Sequence, residues 1–131
     1  MKKLTLVFLL FVGLVSNVLA GPAPESYYWD VRYVDSILGG WEDTYGKSIT
    51  TENHGGTVRA YVLVGGYSNS ILATFNNSVM QMTDSEPVDF NGDNIIDGFW
   101  YEFTGTGNSG NIEIYDVYNF QWGIRDRMYV R

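Results

Sequence analysis

The amino-acid sequence predicts an all-β fold, a single domain built as an antiparallel meander of about eight strands. No stretch of the chain shows sustained helical periodicity. Short runs rich in Val, Ile, Tyr, Phe and Thr are instead separated by clusters of Gly, Asn, Ser and Asp, which are typical turn residues. Within the runs, apolar and polar residues alternate with a period of two, which indicates strands with one buried and one solvated face.

The strands can be placed in chain order because turn residues bound each run. The predicted strands are Tyr27–Val34, Trp41–Thr50, Thr57–Val64, Ile71–Phe75, Ser78–Thr83, Gly98–Thr104, Asn111–Tyr118 and Phe120–Val130. Most of the connectors are short enough for hairpins, and the exception is the stretch Asp84–Asp97.

The alternation also predicts which residues form the core. In the third strand, one face carries only apolar residues, namely Val58, Ala60, Val62 and Val64. In the last strand, one face is apolar except for Asp126. Consecutive hairpins without crossovers predict a meander, and a meander of this size closes into a barrel that leaves no exposed edge. A β-barrel is therefore favoured, and a β-sandwich is the alternative.

Residues 1–20 predict a secretory signal peptide. Lys2 and Lys3 form a positive region, an apolar run follows, and the small-residue pattern of a cleavage site ends at Ala20. Residues 21–26 form a flexible leader, and residues 27–131 form the single β domain. The protein is therefore expected to be secreted or periplasmic, with no stable membrane anchor after cleavage, and an uncleaved anchor is the alternative.

The chain is acidic, with a formal net charge of −7, and it has no cysteine. Nucleic acid is excluded as a partner because phosphate contacts need a basic face. Arg125, Arg127 and Arg131 cluster near the C-terminus, which predicts a solvated strand face, with an anion or partner site as the alternative. Because disulfides cannot form, a bound metal ion would supply part of the stability that small secreted domains gain from them.

A short acidic stretch, DFNGDNIIDG, places oxygen ligands at alternating positions. Asp89, Asn91 and Asp93 would supply side-chain oxygens. Ile95 would supply its carbonyl oxygen, and Asp97 would bind directly or through water. Calcium takes six to eight oxygen ligands at about 2.3–2.6 Å, and alternating ligands let one short peptide wrap the ion. The sequence therefore predicts a structural Ca²⁺ site at these five residues.

This stretch resembles the calcium loops of integrin-type propeller repeats and dockerins, which read Asp-x-Asn-Gly-Asp-Gly-x-x-Asp. Asn94 replaces the usual sixth-position glycine, and asparagine tolerates the left-handed backbone better than most residues. A helix–loop–helix calcium motif would need a glutamate where this chain has Trp100. The resemblance therefore implies a calcium loop between two strands, completed by Asp84 or Glu86.

The segment Leu38-Gly39-Gly40-Trp41 resembles the Gly-x-Trp opening of lipocalin-like and avidin-like (calycin) barrels. In those families the tryptophan on the first barrel strand plugs the closed end, and the glycine lets the chain turn in. The resemblance implies that Trp41 and Gly39 take these roles in a small β-barrel. It carries no biotin-site pattern.

Catalytic motifs are sparse. The one histidine, His54, lies in a turn-like segment, which predicts a solvent-exposed side chain. Glu102 and Glu113 lie on neighbouring predicted strands, and Glu42 and Asp43 lie on an early one, so either set could form a carboxylate pair. Acidic residues on solvated strand faces are the commoner explanation, and we expect a protein that is not an enzyme.

Binding is the remaining function. Aromatic residues make up 16% of the chain and concentrate near the two ends of the β domain, where some fill the core. They are Tyr27, Tyr28, Trp29 and Tyr33 at the start, and Trp100, Tyr101, Tyr115, Tyr118 and Trp122 near the end. Tyr and Trp suit the mouth of a barrel or a flat sugar-binding face. The sequence predicts a small apolar ligand inside a barrel, with a carbohydrate-binding module-like or surface-interaction protein as the alternative.

Overall fold

The computed structural model describes residues 26–68, 70–117 and 123–131. The predicted signal peptide, and the leader up to residue 25, lie outside the described residues. Within the described ranges every regular element is a β-strand, so the all-β prediction is confirmed at this level. None of the described residues forms a helix, and hence none forms a helix long and apolar enough to cross a membrane.

The described residues form nine strands, all paired antiparallel. They are β1 (Tyr28–Ser36), β2 (Gly40–Asp43), β3 (Gly56–Gly65), β4 (Ile71–Phe75), β5 (Ser78–Val79), β6 (Gln81–Val88), β7 (Gly98–Gly107), β8 (Gly110–Asp116) and β9 (Ile124–Val130).

Two predicted strands, Ser78–Thr83 and Trp41–Thr50, differ most from the strands of the structure. The predicted Ser78–Thr83 strand is divided into β5 and β6, and β6 continues to Val88 because it pairs with β7 along its whole length. Pro87, which cannot donate a backbone hydrogen bond, is tolerated because β6 is the edge strand of its sheet. The predicted Trp41–Thr50 strand ends at Asp43.

The strands form two sheets, with orders β2-β1-β3-β7-β6 and β5-β4-β8-β9. The predicted simple meander is wrong, because β3 pairs with β7 and β4 pairs with β8. The chain leaves the first sheet after β3, where Gly66 has a positive φ of 86° and donates its N–H to the Asp97 carbonyl. Period-two alternation identifies the buried face of a strand but not its partner, so it could not reveal this exchange.

The inner faces of both sheets contribute to one core. The predicted apolar face of β3 is fully buried, with Val58, Ala60, Val62 and Val64 all at 0% exposure. The other sheet contributes further buried side chains, which include Ile71, Ala73, Phe75, Ile112, Ile114, Met128 and Val130.

Backbone and side-chain hydrogen bonds join the two sheets along one side. Asp126 of β9 accepts the Val31 N–H of β1 at 2.7 Å. Ile49 forms a parallel bridge with Tyr129, and the Thr50 N–H donates to the Tyr129 carbonyl at 2.9 Å. The described strands therefore form two sheets linked at this side and no closed barrel.

Candidate functional site

The predicted calcium loop connects β6 to β7, and hydrogen bonds fix both of its ends. The Asp97 N–H donates to the Val88 carbonyl at 2.8 Å, and the Asp97 carbonyl accepts the Gly66 N–H at 2.7 Å. Inside the loop, Gly92 and Asn94 have φ angles of 74° and 66°. Asn94 therefore adopts the left-handed conformation that its place in the motif requires.

The loop brings three carboxylates together. One oxygen each of Asp89, Asp93 and Asp97 lie within 4.8 Å of one another. Oxygens on opposite sides of a calcium ion are separated by about twice the 2.3–2.6 Å bond length. The three groups are therefore spaced so that one hard cation could contact all of them.

Backbone N–H groups inside the loop hold the carboxylates in place. Asp89 accepts the N–H groups of Gly92 at 2.8 Å and Asn94 at 2.7 Å. Asp93 accepts the Ile95 N–H at 2.8 Å, and Asp97 accepts the Phe90 N–H at 2.9 Å. Limited burial acts to raise the pKa of Asp89, but the donated N–H groups outweigh it and lower this pKa below its ordinary value.

The other predicted ligands are placed differently. The Asn91 side-chain oxygen accepts the Asp93 N–H at 3.3 Å, so it turns back into the loop. Ile95 follows Asn94 in the loop, and its side chain is exposed. Asp84 and Glu86, which were expected to complete the set of calcium ligands, belong to β6 and line a cleft described below, and the group of three carboxylates does not include them.

Aromatic rings cluster on the solvent-facing side of the five-stranded sheet. Tyr33 stacks on Trp41 with 4.8 Å between ring centroids and on Trp100 at 5.8 Å. Tyr61 lies 4.8 Å from Trp41. These four residues, here called the aromatic face, come together because β1, β2, β3 and β7 are neighbours in the sheet.

Trp41 is 57% exposed, so it does not plug an interior as the Gly-x-Trp resemblance implied. It points outward because its neighbour Glu42 takes the inward position of β2. Gly39 lies in the turn between β1 and β2 and also has a packing role. A Cβ atom at Gly39 would lie 2.4 Å from the Nδ1 atom of His54, so glycine is needed for close approach.

A cleft of about 220 Å³ lies beside the aromatic face. This cleft, here called the acidic cleft, is lined by Tyr61, Asp84, Ser85, Glu86, Trp100, Tyr101 and Glu102. Burial raises the pKa of the Tyr61 hydroxyl, and the nearby Glu102 carboxylate raises it further. Glu102 also accepts a hydrogen bond from Thr83 at 2.8 Å. The cleft thus combines three aromatic residues with three carboxylates.

His54 was predicted to be exposed, and this prediction is wrong, because the residue is 1% exposed. Its Nδ1 atom lies 2.7 Å from the Ser36 hydroxyl, and its Nε2 atom lies 2.9 Å from Glu42. Glu42 was assigned to a solvated face but is 7% exposed. The turn containing His54 is held inward because the His54 N–H donates to the Arg131 carbonyl.

The Glu42 carboxylate is ionised in this setting. Burial alone would raise its pKa, but hydrogen bonds from the Thr51 N–H, His54, the Glu52 N–H and Lys47 together lower it to about 2. A Ser–His–carboxylate series is the arrangement of a hydrolytic triad. Here, however, the imidazole is fully buried and the Gly39 backbone lies against it, so the series has the form of a structural network.

The remaining charged candidates are dispersed. Glu102 is on β7 and Glu113 is on β8, in different sheets, so they do not form the predicted neighbouring-strand carboxylate pair. Arg127 lies 3.8 Å from Glu113. Arg125 lies over a tryptophan ring, and Arg131 donates to the Thr51 carbonyl at 3.3 Å. The three C-terminal arginines therefore have separate partners.

Sequence reasoning missed two groupings that depend on strand pairing. The Ser36–His54–Glu42 network joins residues from β1, β2 and the segment before β3. The acidic cleft depends on β6 lying beside β7. The SILGGWED stretch did place a serine and a glutamate six residues apart around a tight glycine turn, which is a weak signal for a hairpin that brings them together.

A family model described as a domain of unknown function (DUF4879) matches residues 21–124. No curated protein and no solved structure matches the chain. The matched range contains the calcium-loop candidate, the aromatic face and the acidic cleft.

Proposed function

The chain belongs to the DUF4879 family, and from its own geometry we propose that it is a non-enzymatic, calcium-binding β protein that acts outside the cytoplasm. The observation that carries calcium binding is the convergence of Asp89, Asp93 and Asp97 within 4.8 Å. Their mutual repulsion is unfavourable, and a cation lying among them would relieve it. The signal-peptide pattern of residues 1–20 supports export.

In this proposal calcium has a structural role. The ion would bind the three carboxylates, with the Asn91 amide and the Ile95 carbonyl as further ligands. It would then fix the β6–β7 connection, which is exposed and contributes no residue to the core. Extracellular calcium modules bind with a Kd of about 10⁻⁴–10⁻³ M, so saturation adds about 1–2 kcal/mol to the free energy of unfolding.

Calorimetric titration of calcium into chelator-stripped protein tests this role. We expect heat of binding and a raised melting temperature for the parent, and neither for Asp93→Asn. Glu52→Gln removes one exposed carboxylate outside the loop and is the matched control, because it changes net charge equally. A melting temperature that millimolar calcium leaves unchanged in the parent would refute the proposal.

The ligand is proposed to bind on the aromatic face. A small apolar ligand inside a lipocalin-like barrel would need interior space. The side chains that meet between the sheets are buried against one another, and Val62, Ile112 and Val130 are at 0% exposure. This filling favours the sandwich arrangement, although the bridge between Ile49 and Tyr129 is a barrel-like feature. An outward-facing site is therefore favoured over an interior one.

Carbohydrate is the ligand class that the aromatic face favours. Stacked rings with one strongly exposed tryptophan, Trp41, offer apolar surface to sugar rings, and neighbouring carboxylates can accept hydrogen bonds from sugar hydroxyls. Retention on insoluble polysaccharide and quenching of tryptophan fluorescence by soluble sugars test this. Trp41→Ala should abolish both the retention and the quenching. Tyr129→Ala removes an exposed ring elsewhere and should preserve them. Equal retention of the two variants would contradict the assignment.

A further inference from the structure

The acidic cleft has a charge that the fold does not neutralise. Asp84 and Glu102 are register partners on β6 and β7, and like charges placed opposite each other on adjacent strands destabilise a sheet. Glu86 pairs in register with Trp100 on the same two strands. Three carboxylates and the Trp100 ring therefore line one cleft at the edge of the sheet.

The described residues place no cation within ion-pair distance of Asp84, Glu86 or Glu102. The neighbouring base, Arg59, is bound to Asp35 on the adjacent strand. Its charge reaches Glu102 only through longer-range attraction. A ligand that brings its own positive charge would relieve the repulsion between the facing carboxylates.

The same cleft also offers aromatic surface. Trp100 and Tyr61 line it, and Trp100 stacks through Tyr33 towards Trp41, so the rings form a continuous row leading away from the carboxylates. A cation held beside a tryptophan or tyrosine ring gains from the ring quadrupole as well as from the carboxylates. The row has room for a ligand longer than a single charged group.

We infer that the acidic cleft and the aromatic face together bind a cationic carbohydrate, an oligomer of amino sugars whose free amine lies in the cleft while further sugar rings lie along the aromatic row. This inference rests on the proposed carbohydrate binding and names the class of sugar. The amine would contact Glu86 and Glu102 beside Trp100. The acidic chain as a whole, with its net charge of −7, would attract such a polymer over longer distances.

A matched ligand series tests this inference. Oligomers of glucosamine, N-acetylglucosamine and glucose, all β-1,4-linked and of equal length, differ chiefly in the group at C2, which is an ammonium, an acetamide or a hydroxyl. Titration followed by tryptophan fluorescence, at mildly acidic pH and low salt, should show the tightest binding for the glucosamine oligomer. That preference should weaken as salt is added, because salt screens the charges.

Variants of the protein distinguish the contribution of the carboxylates to binding from that of the aromatic rings. Removing one carboxylate with Glu86→Gln should weaken binding of the glucosamine oligomer about fivefold, and should weaken the neutral oligomers less, because the amide keeps an acceptor for sugar hydroxyls but carries no charge. Glu52→Gln, which lies outside the cleft, should change none of the three affinities. Trp41→Ala should weaken all three, because stacking does not depend on the charge at C2.

The outcomes distinguish the inference from the proposed function. Equal binding of all three oligomers would retain carbohydrate binding and overturn the cationic preference. Binding of none would overturn both. Binding of spermidine as tight as that of the glucosamine oligomer, insensitive to Trp41→Ala, would show a simple cation site and overturn the amino-sugar assignment.

Discussion

The Nε2 atom of His54 lies 2.9 Å from Oε2 of Glu42, and both side chains are buried. Because the carboxylate is ionised, Nε2 donates its proton to it, and Nδ1 lies 2.7 Å from the Ser36 hydroxyl. The His54 N–H donates to the Arg131 carbonyl. One histidine thus connects the β1–β2 hairpin to the end of the chain.

Replacing His54 by Ala should destabilise the protein by about 3 kcal/mol, because it leaves a buried carboxylate and a buried hydroxyl without their shared partner. Urea denaturation would measure the loss. Ser36→Ala is the milder companion, since it removes one hydroxyl and leaves the contact between His54 and Glu42 intact. If both variants unfolded at the parent midpoint, the network would have no structural role.

Gly39→Ala should lower the free energy of unfolding by about 1–3 kcal/mol, because overpacking a buried site forces its neighbours to move. The added Cβ atom would lie 2.4 Å from Nδ1 of His54 and 2.9 Å from the Asn53 carbonyl oxygen. Gly55→Ala is the control in the same region, since its Cβ atom would meet only a Leu38 methyl at 3.5 Å. Thermal unfolding of both variants checks the prediction, and equal melting temperatures would contradict it.

Acidification should lower the free energy of unfolding because it protonates Glu42. Its pKa falls from an ordinary 4.5 to about 2 on folding, so its ionised form stabilises the native state above pH 4.5. This contribution, about 3 kcal/mol, is lost as pH falls from 4.5 towards 2. Glu42→Gln should be less stable than the parent at neutral pH and should approach it in acid. A stability difference that stays constant over this range would contradict the prediction.

The general character of the fold could be predicted from the sequence, whereas its topology could not. Alternation placed Val58 and Val62 on the buried face, and Ile71–Phe75 was located correctly, because these features depend on local pattern and turn residues. The pairing of β3 with β7 depends on contacts between segments distant in the chain. No local pattern specifies them.

The same distinction applies to the candidate sites. The calcium loop could be located because its acidic residues are close in sequence, and Asp89, Asp93 and Asp97 do converge. The burial of His54 could not be predicted from the sequence, because it depends on packing against Gly39 and on a hydrogen bond to Arg131. A turn-like sequence predicts exposure unless another segment covers it.

Asp126 provides the opposite pH dependence to Glu42. Burial raises its pKa above the ordinary value, with a smaller contribution from Asp30, although the N–H groups of Val31 and Arg127 act to lower it. A carboxyl whose pKa is raised on folding stabilises the native state below its ordinary pKa, and this stabilisation is lost as pH rises through the folded value. Ionisation of Asp126 therefore lowers the stability of the native state as the pH rises towards neutral.

Asp126→Asn removes this charge and keeps one acceptor for the Val31 N–H, so its stability relative to the parent should improve as pH rises from acid to neutral. Asp126→Ala leaves that N–H without its side-chain acceptor, 2.7 Å away in the parent, and should be less stable than Asp126→Asn by about 1–3 kcal/mol at every pH. Urea denaturation of the three proteins across this range measures both effects. If the parent gained stability over Asp126→Asn as pH rose, the ionised carboxylate would be favourable there, and the link it forms between β9 and β1 would be electrostatic in origin.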